Sequence, residues 1–187
     1  CPVLLTEPQS TNLITNSNDF SQWTNNGLIT VTDNFAISPS GNFDASNLAS
    51  VGGSYPQISR TFNGLTIGED YTLSFYVKSD GANQIIQSAW FTGFAATTFT
   101  PTNEWTRVTN TITATATSHS ALIFTNSPTA SASSFLIYGA QVEELSYPTS
   151  LIPTYGAVRT RLQDSVFGAG TSSDFNSAEG VLFIETS

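Results

Sequence analysis

The clearest structural signal in the sequence is Tyr71-Thr72-Leu73-Ser74-Phe75-Tyr76-Val77-Lys78, along which apolar and polar side chains alternate. Its odd positions, from Tyr71 to Val77, are all apolar. They share one face, since successive side chains of an extended strand point to opposite sides of a sheet. The alternation predicts a β-strand with one face in the core.

Similar short runs lie on both sides of this strand, separated by turns rich in Gly, Asn, Asp and Pro. No stretch keeps an apolar period of 3.6 residues, which excludes a large helical part. We predict strands at 28–32, 55–62, 71–78, 84–91, 104–113, 121–124 and 134–143. Strands of this number and spacing are typical of an antiparallel two-sheet sandwich, so we expect an all-β, jelly-roll-like fold.

The 187 residues divide into three predicted parts. Residues 1–12 are an N-terminal strand or linker, and residues 13–145 form the β-sandwich. Residues 146–187 begin with Tyr147 to Gly156, where two prolines and no alternation predict an extended C-terminal strap. The apolar run 180–185 predicts a strand that pairs back on the sandwich, pairs with another chain or starts a further domain.

The charge of the chain limits the kinds of molecule that it can bind. The net charge is -9 with five Lys and Arg, so there is no basic patch for nucleic acid or for an anionic membrane surface. No apolar run approaches the length that spans a bilayer. Charged residues are only 10% of the chain, so uncharged polar side chains cover the surface. Such surfaces are typical of secreted and virion proteins.

Cys1 is the single cysteine, which excludes an internal disulfide. Two readings of it are open: a lipidated N-terminus of a surface lipoprotein, or an internal position of a longer polypeptide. The absence of Met favours the second reading.

Catalytic and metal chemistry have little support. We predict that the single histidine, His119, lies in an exposed turn without a neighbouring acid. The acids Glu69, Asp70, Glu143 and Glu144 form adjacent pairs, and neighbours on a strand face opposite ways, so neither pair can flank one glycosidic bond. One Cys and one His disfavour zinc. A structural calcium ion stays open, with loop carboxylates at Asp19, Asp33 and Asp44.

Aromatic side chains among amides are the more promising chemistry, because sugar rings stack on aromatic faces while their hydroxyls bond to polar groups. Two such groups occur in the sequence. Each aromatic residue in them either is exposed and binds a ligand or is buried in the core. They are Trp90 with Gln87 and Phe94, and Tyr55 with Gln57 and Arg60. Trp23 and Trp105 stand at strand starts, and we expect them to cover the core.

Two motifs at the ends of the sandwich resemble a known module. Residues 4–14, LLTEPQSTNLI, with Asp19-Phe20-Ser21-Gln22-Trp23, form the first; 138–144, YGAQVEE, with 147–154, YPTSLIPT, and Arg159-Thr160-Arg161, form the second. Together they resemble the beginning and end of a module in phage and prophage tail fibres and other virion appendages. The resemblance brackets nearly the whole chain, and it departs from the family at Ser10, usually Arg, and at Leu151, usually Tyr.

The resemblance implies a fold like that of carbohydrate-binding jelly rolls, followed in relatives by a laminin-G or concanavalin-like domain that 179–185 would begin. It also implies a homotrimer, in which Leu151 and Ile152 pack between subunits and Arg159 and Arg161 pair with a neighbour's acids. We therefore expect a non-enzymatic virion or extracellular module that binds cell-surface polysaccharide. The alternatives are a purely structural, oligomerising domain, and an accessory sugar-binding module of a secreted polysaccharide-degrading enzyme.

Overall fold

Two five-stranded antiparallel sheets make up the fold in a computed structural model, which describes residues 6–81, 87–125 and 127–165 and only the backbone at 87 and 88. In chain order the strands are β1 (Ser10–Asn12), β2 (Thr24–Asn25), β3 (Ile29–Ala36), β4 (Ala45–Ser50), β5 (Gln57–Asn63), β6 (Asp70–Lys78), β7 (Gln87–Phe91), β8 (Thr97–Phe99), β9 (Thr106–Thr113), β10 (Ser118–Thr125), β11 (Ser133–Glu143) and β12 (Arg159–Arg161). The first sheet has the order β2-β5-β10-β7-β8, and the second has the order β3-β4-β11-β6-β9.

The core lies between the two sheets. In β6, Tyr71, Leu73 and Phe75 are buried, as the alternation predicts. They pack with inward residues of the first sheet, such as Ile58 of β5 and Phe91 of β7. The predicted all-β, two-sheet fold is confirmed. The described residues include one helical turn, Phe20–Gln22, and no helix among them is long and apolar enough to cross a membrane.

Two strand features escape the sequence pattern. The second sheet includes β4, with the sequence Ala-Ser-Asn-Leu-Ala-Ser, whose small polar residues give no readable alternation. It is a strand because it pairs with β3 on one side and β11 on the other. Strand β3 also continues past residue 32 to Ala36, across an irregularity at which Asn34 has a φ of 52°. Asp33 therefore lies within a strand and not in the loop that we predicted.

The two ends of the described chain meet on the second sheet. Strand β1 pairs with β12, and the side chain of Asn12, which is fully buried, ties β1 to its surroundings. Its amide nitrogen donates to the carbonyl oxygens of Ala140 and Ile152, while its oxygen accepts from the backbone N–H of Ile14 and Val142. Asn12 therefore joins the N-terminal strand, β11 and the strap.

A buried carboxylate completes this junction. Glu143 is 0% exposed, and its oxygens accept hydrogen bonds from the hydroxyls of Ser10 and Thr149, the backbone N–H of Thr149 and the amide of Gln141. The Gln141 oxygen accepts in turn from the backbone N–H of Ile152. We call Ser10, Asn12, Gln141, Glu143 and Thr149 the terminal clasp. It consists of residues from the two motifs that resemble the virion module.

The residues predicted to contact another subunit lie beside the clasp. Ile152 is 3% exposed and Leu151 packs against Gly139, both within one chain. Arg161 forms an ion pair with Glu7 of the same chain. Burial raises the pKa of Glu7, but hydrogen bonds from Ser150 and Arg161 outweigh it and hold that pKa below its usual value.

Ile152, Leu151 and Arg161 thus have contacts within one chain, and the intersubunit roles expected for them stay predictions. Arg159 is exposed and has no partner among the described residues, so its predicted role in a trimer stays a prediction. The division at 12 and 145 stays a prediction too, although β1 and the strap are both hydrogen-bonded to β11. The run 180–185 and residues 1–5 lie outside the described residues.

Substituting Asn12 tests the clasp. Asn12→Ala leaves four buried backbone groups without their side-chain partner, and each such group costs about 1–3 kcal/mol. We expect the free energy of unfolding in urea to fall by about 3 kcal/mol or more. The control is the neighbouring Thr11→Ala, which removes only an exposed hydroxyl pair with Thr160 and should cost less than about 1 kcal/mol. Equal losses in the two variants would contradict the role of the clasp.

Candidate functional site

The outer face of the first sheet carries aromatic side chains. In β7, Ala89 and Phe91 belong to the core, so Trp90 between them faces outwards. In β10, Ala121 and Ile123 are core residues, so the outward positions are Leu122 and Phe124. Register places Trp90 directly opposite Leu122, and Phe124 directly opposite Gln57 of β5.

Three rings form a row across the strands on this face. The ring centroid of Phe124 lies 6.3 Å from that of Tyr55 and 5.8 Å from that of Trp90. Phe124 is only 8% exposed, whereas Tyr55 is 44% exposed and Trp90 is half-buried. We call Tyr55, Trp90, Leu122 and Phe124, with Gln57 and Ser59 of β5, the aromatic face.

Tyr55 is held in an unusual backbone conformation. Its φ is 50°, in the left-handed region that costs a non-glycine residue about 1–2 kcal/mol. Two hydrogen bonds keep it there: its N–H donates to the carbonyl of Ser127 over 3.0 Å, and its carbonyl accepts from the Asn26 amide over 2.9 Å. Asn26 also accepts from the backbone N–H of Gln57. The surrounding loops therefore fix the backbone of Tyr55, whose ring lies beside that of Phe124.

The other half of the face is polar. Thr61 and Ser120 share a hydroxyl hydrogen bond of 2.7 Å, and Ser118 donates to Asn63 over 2.8 Å, which links β5 and β10. The side chains of Gln57 and Ser59, nearer the rings, make no hydrogen bond within the described residues. Their donors and acceptors are available to a ligand that lies on the rings.

The structure brings together three of the six residues predicted to bind a ligand, namely Tyr55, Gln57 and Trp90. Gln87 begins β7, but its side chain lies outside the described part of the chain. The Arg60 side chain lies on the same side of β5 as those of the core residues Ile58 and Phe62. Its guanidinium donates to the Thr15 hydroxyl over 2.7 Å. It faces away from Tyr55 and Gln57, so grouping it with them by sequence proximity was wrong.

Phe94 and His119 also differ from expectation. Phe94 is partly buried against the core, and its ring meets that of His119 edge-on at 5.3 Å. His119 was predicted in an exposed turn, but it lies in β10 and is buried. Its Nε2 accepts from the backbone N–H groups of Thr115 and Ala116, so it holds the turn before β10. Of the two expected core tryptophans, Trp23 is buried and Trp105 is half-buried.

Sequence analysis missed Phe124 and Leu122, the centre of the aromatic face. Both lie in Ala121-Leu122-Ile123-Phe124, an uninterrupted apolar run. Such a run does not show which alternate residues face the core and which face outwards. The available signal was the run itself. An antiparallel strand with apolar side chains on both faces has a second apolar face outside the core, which is either covered by another segment or open to a ligand.

Known structures share this arrangement of strands. No protein-family model and no curated protein matches the sequence. The xylan-binding CBM22-1 domain of Paenibacillus barcinonensis Xyn10C superposes with a TM-score of 0.53 at 12% identity, over 74% of this chain and 94% of that domain. The tandem CBM22-1–CBM22-2 domain of the same enzyme gives 0.55 at 13% identity, over 74% of this chain and 47% of the tandem.

A phage protein is also similar. The enzymatically active domain of bacteriophage CBA120 tailspike protein 4 superposes with a TM-score of 0.50 at 15% identity, over 70% of this chain. This chain spans only 21% of that tailspike chain. At these identities the likeness is one of fold. The fold is the jelly roll of carbohydrate-binding modules.

The three aspartates considered for calcium line one cleft of about 320 Å³, beside Tyr155, which is 77% exposed. Asp33 accepts from the backbone N–H groups of Phe20 and Ser21 and from the Ser46 hydroxyl. Burial raises the pKa of Asp33, but these hydrogen bonds outweigh it and hold that pKa below its usual value. Asp33 thus fixes the helical turn at residues 20–22.

Asp44 accepts from the Asn18 amide over 3.3 Å, and one further oxygen of each residue is buried without a partner. Even so, no group of three or more His, Cys, Asp or Glu within residues 6–81, 87–125 and 127–165 is placed to hold a metal ion. The calcium hypothesis therefore gains no ligand set.

Acids also meet at a second cleft, of about 350 Å³, where Glu69 and Asp70 lie near Glu144. Asp70 accepts from the Thr113 hydroxyl, and Glu144 accepts from the Tyr71 hydroxyl. Sequence reasoning considered only adjacent pairs and did not foresee this grouping across strands. Both bonded carboxylates have structural partners, and the buried Glu143 belongs to the terminal clasp.

The strain at Tyr55 is testable by two substitutions that both remove the ring. Tyr55→Ala keeps a Cβ in the left-handed region, whereas Tyr55→Gly does not. We expect the glycine variant to be more stable than the alanine variant by about 1 kcal/mol in urea unfolding. A more stable alanine variant would mean that Tyr55 is not strained in solution.

Proposed function

We propose that this chain is a carbohydrate-binding module and that the aromatic face is its binding site. The observation that carries the proposal is the row of rings Tyr55, Phe124 and Trp90, beside the unbonded side chains of Gln57 and Ser59. A sugar needs this combination, since its C–H faces stack on rings and its hydroxyls require polar partners. The jelly-roll fold supports the proposal, because the Paenibacillus domain that shares it is described as xylan-binding.

The backbone of the site favours binding by preorganisation. Tyr55 is held by hydrogen bonds to Ser127 and Asn26, and Trp90 and Phe124 project from neighbouring strands of one sheet. A ligand therefore orders few side chains, and the entropic cost of association stays low. The strain at Tyr55 fits the same role, since residues in rare backbone conformations cluster at ligand sites.

We further propose a binding role without catalysis, in a virion appendage that attaches to a polysaccharide-bearing host surface. The two end motifs support this, because they resemble those of the virion module. One structural neighbour is a phage tailspike domain, although its described activity is enzymatic and this chain spans a fifth of it. Contact with other virion proteins and assembly as a homotrimer belong to the same proposal.

Trp90→Ala tests the binding site. We expect the affinity for a bound oligosaccharide to fall at least about tenfold, which corresponds to about 1.4 kcal/mol for one lost stacking contact. Isothermal titration calorimetry measures the change, with oligosaccharides chosen from an array that carries xylo-, cello-, manno- and galacto-oligosaccharides.

The matched control is Tyr76→Ala, which removes a half-buried aromatic from the outer face of the second sheet, beside Tyr138 and Arg107. It should leave the affinity unchanged. If Trp90→Ala binds as wild type, or if only Tyr76→Ala loses binding, the aromatic face is not the site.

A further inference from the structure

Charge is distributed unequally between the two outer faces. The strands of the first sheet contain a single charged residue, Arg60, and one histidine, His119, and both side chains face inwards. The strands of the second sheet contain five charged residues: Asp33, Asp70, Lys78, Arg107 and Glu143. In a chain of net charge -9, the strand residues that face outwards from the first sheet are therefore all uncharged.

From this we infer that the ligand of the aromatic face is a neutral glycan, and that polysaccharides carrying carboxylate, phosphate or sulfate groups are excluded. This inference rests on the proposed function. It concerns the chemical class of the ligand, which the fold alone does not determine.

A cation is the strongest partner for the anionic group of an acidic glycan, and the position of every Lys and Arg in the chain is described. Arg60 is bonded to Thr15 within the sandwich, and Lys78 and Arg107 belong to the second sheet. Arg159 and Arg161 belong to β12, on the side of the terminal clasp. None of the five Lys and Arg faces outwards from the first sheet.

Binding an acidic sugar at the aromatic face would leave its charge without a cationic partner. Removing a carboxylate from water without an opposite charge is costly, and the net charge of -9 adds a general repulsion of polyanions. A neutral sugar pays neither cost. Its hydroxyls match the amide of Gln57 and the hydroxyl of Ser59, which have no partner among the described residues.

The test compares neutral xylo-, cello-, manno- and galacto-oligosaccharides with oligogalacturonate and oligoalginate, by calorimetry on the full chain at low and high NaCl. We expect binding only among the neutral set, with an affinity that changes less than about twofold when the salt concentration is raised about tenfold, because no charge pair is screened. Trp90→Ala should weaken this binding at least about tenfold.

A gain-of-function variant sharpens the comparison. Ser59→Arg places a cation beside Gln57 on the aromatic face and should create salt-sensitive binding of oligogalacturonate. Thr109→Arg, at an exposed position of β9 in the second sheet, makes the same change in net charge and should not. Equal gains in both variants would mean that net charge, and not the face, excludes acidic glycans, which would overturn the inference.

The remaining outcomes separate the two claims. Wild-type binding of an acidic oligosaccharide that Trp90→Ala removes would overturn the neutral-ligand inference and leave the proposed function in place. Acidic binding that Trp90→Ala does not affect, or no binding of any glycan, would overturn the proposed function and this inference with it.

Discussion

A carboxylate without contact to solvent, that of Glu143, holds the two ends of the described chain on one sheet. An isolated buried charge is unfavourable, and here four donors from β1, β11 and the strap offset the loss of water. Because these donors come from segments more than 100 residues apart, the carboxylate is satisfied only when β1 and the strap are both in place. The clasp thus links the closure of the chain to the completion of the second sheet.

The terminal clasp lies on the second sheet, away from the aromatic face of the first sheet. The terminal strands, the strap and most charged strand positions lie with the second sheet, so the outer face around Trp90 and Phe124 has no covering segment from the clasp. Its neutral polar strands carry rings at one end and bonded hydroxyls at the other. The fold separates a stabilising side from a side suited to ligands, and this separation explains why conspicuous sequence motifs and the candidate site lie on different sheets.

Much of the fold could be predicted from alternation, because β6 shows its buried face openly. The site was harder to predict. Trp90, Tyr55 and Gln57 were identifiable by residue type, but Phe124 was hidden in an apolar run. Arg60 was grouped with the wrong face, and His119 was predicted in an exposed turn although it is buried in β10. Whether each of these side chains faces the core or the outside depends on how its strand pairs with strands that are distant in the sequence. The partners of Asn12 and Glu143 depend on long-range contacts for the same reason, so the motifs were visible in the sequence while their role was not.

The most direct test of the central claim is an NMR titration that follows the three indole N–H resonances. The neutral oligosaccharide that binds most tightly in the array is the probe. Trp23 is in the core, Trp105 precedes β9 of the second sheet, and Trp90 alone lies on the aromatic face. We predict that the Trp90 resonance shifts with saturating ligand, together with backbone amides of β5, β7 and β10. A shift of Trp105 and second-sheet amides, with Trp90 unmoved, would contradict it.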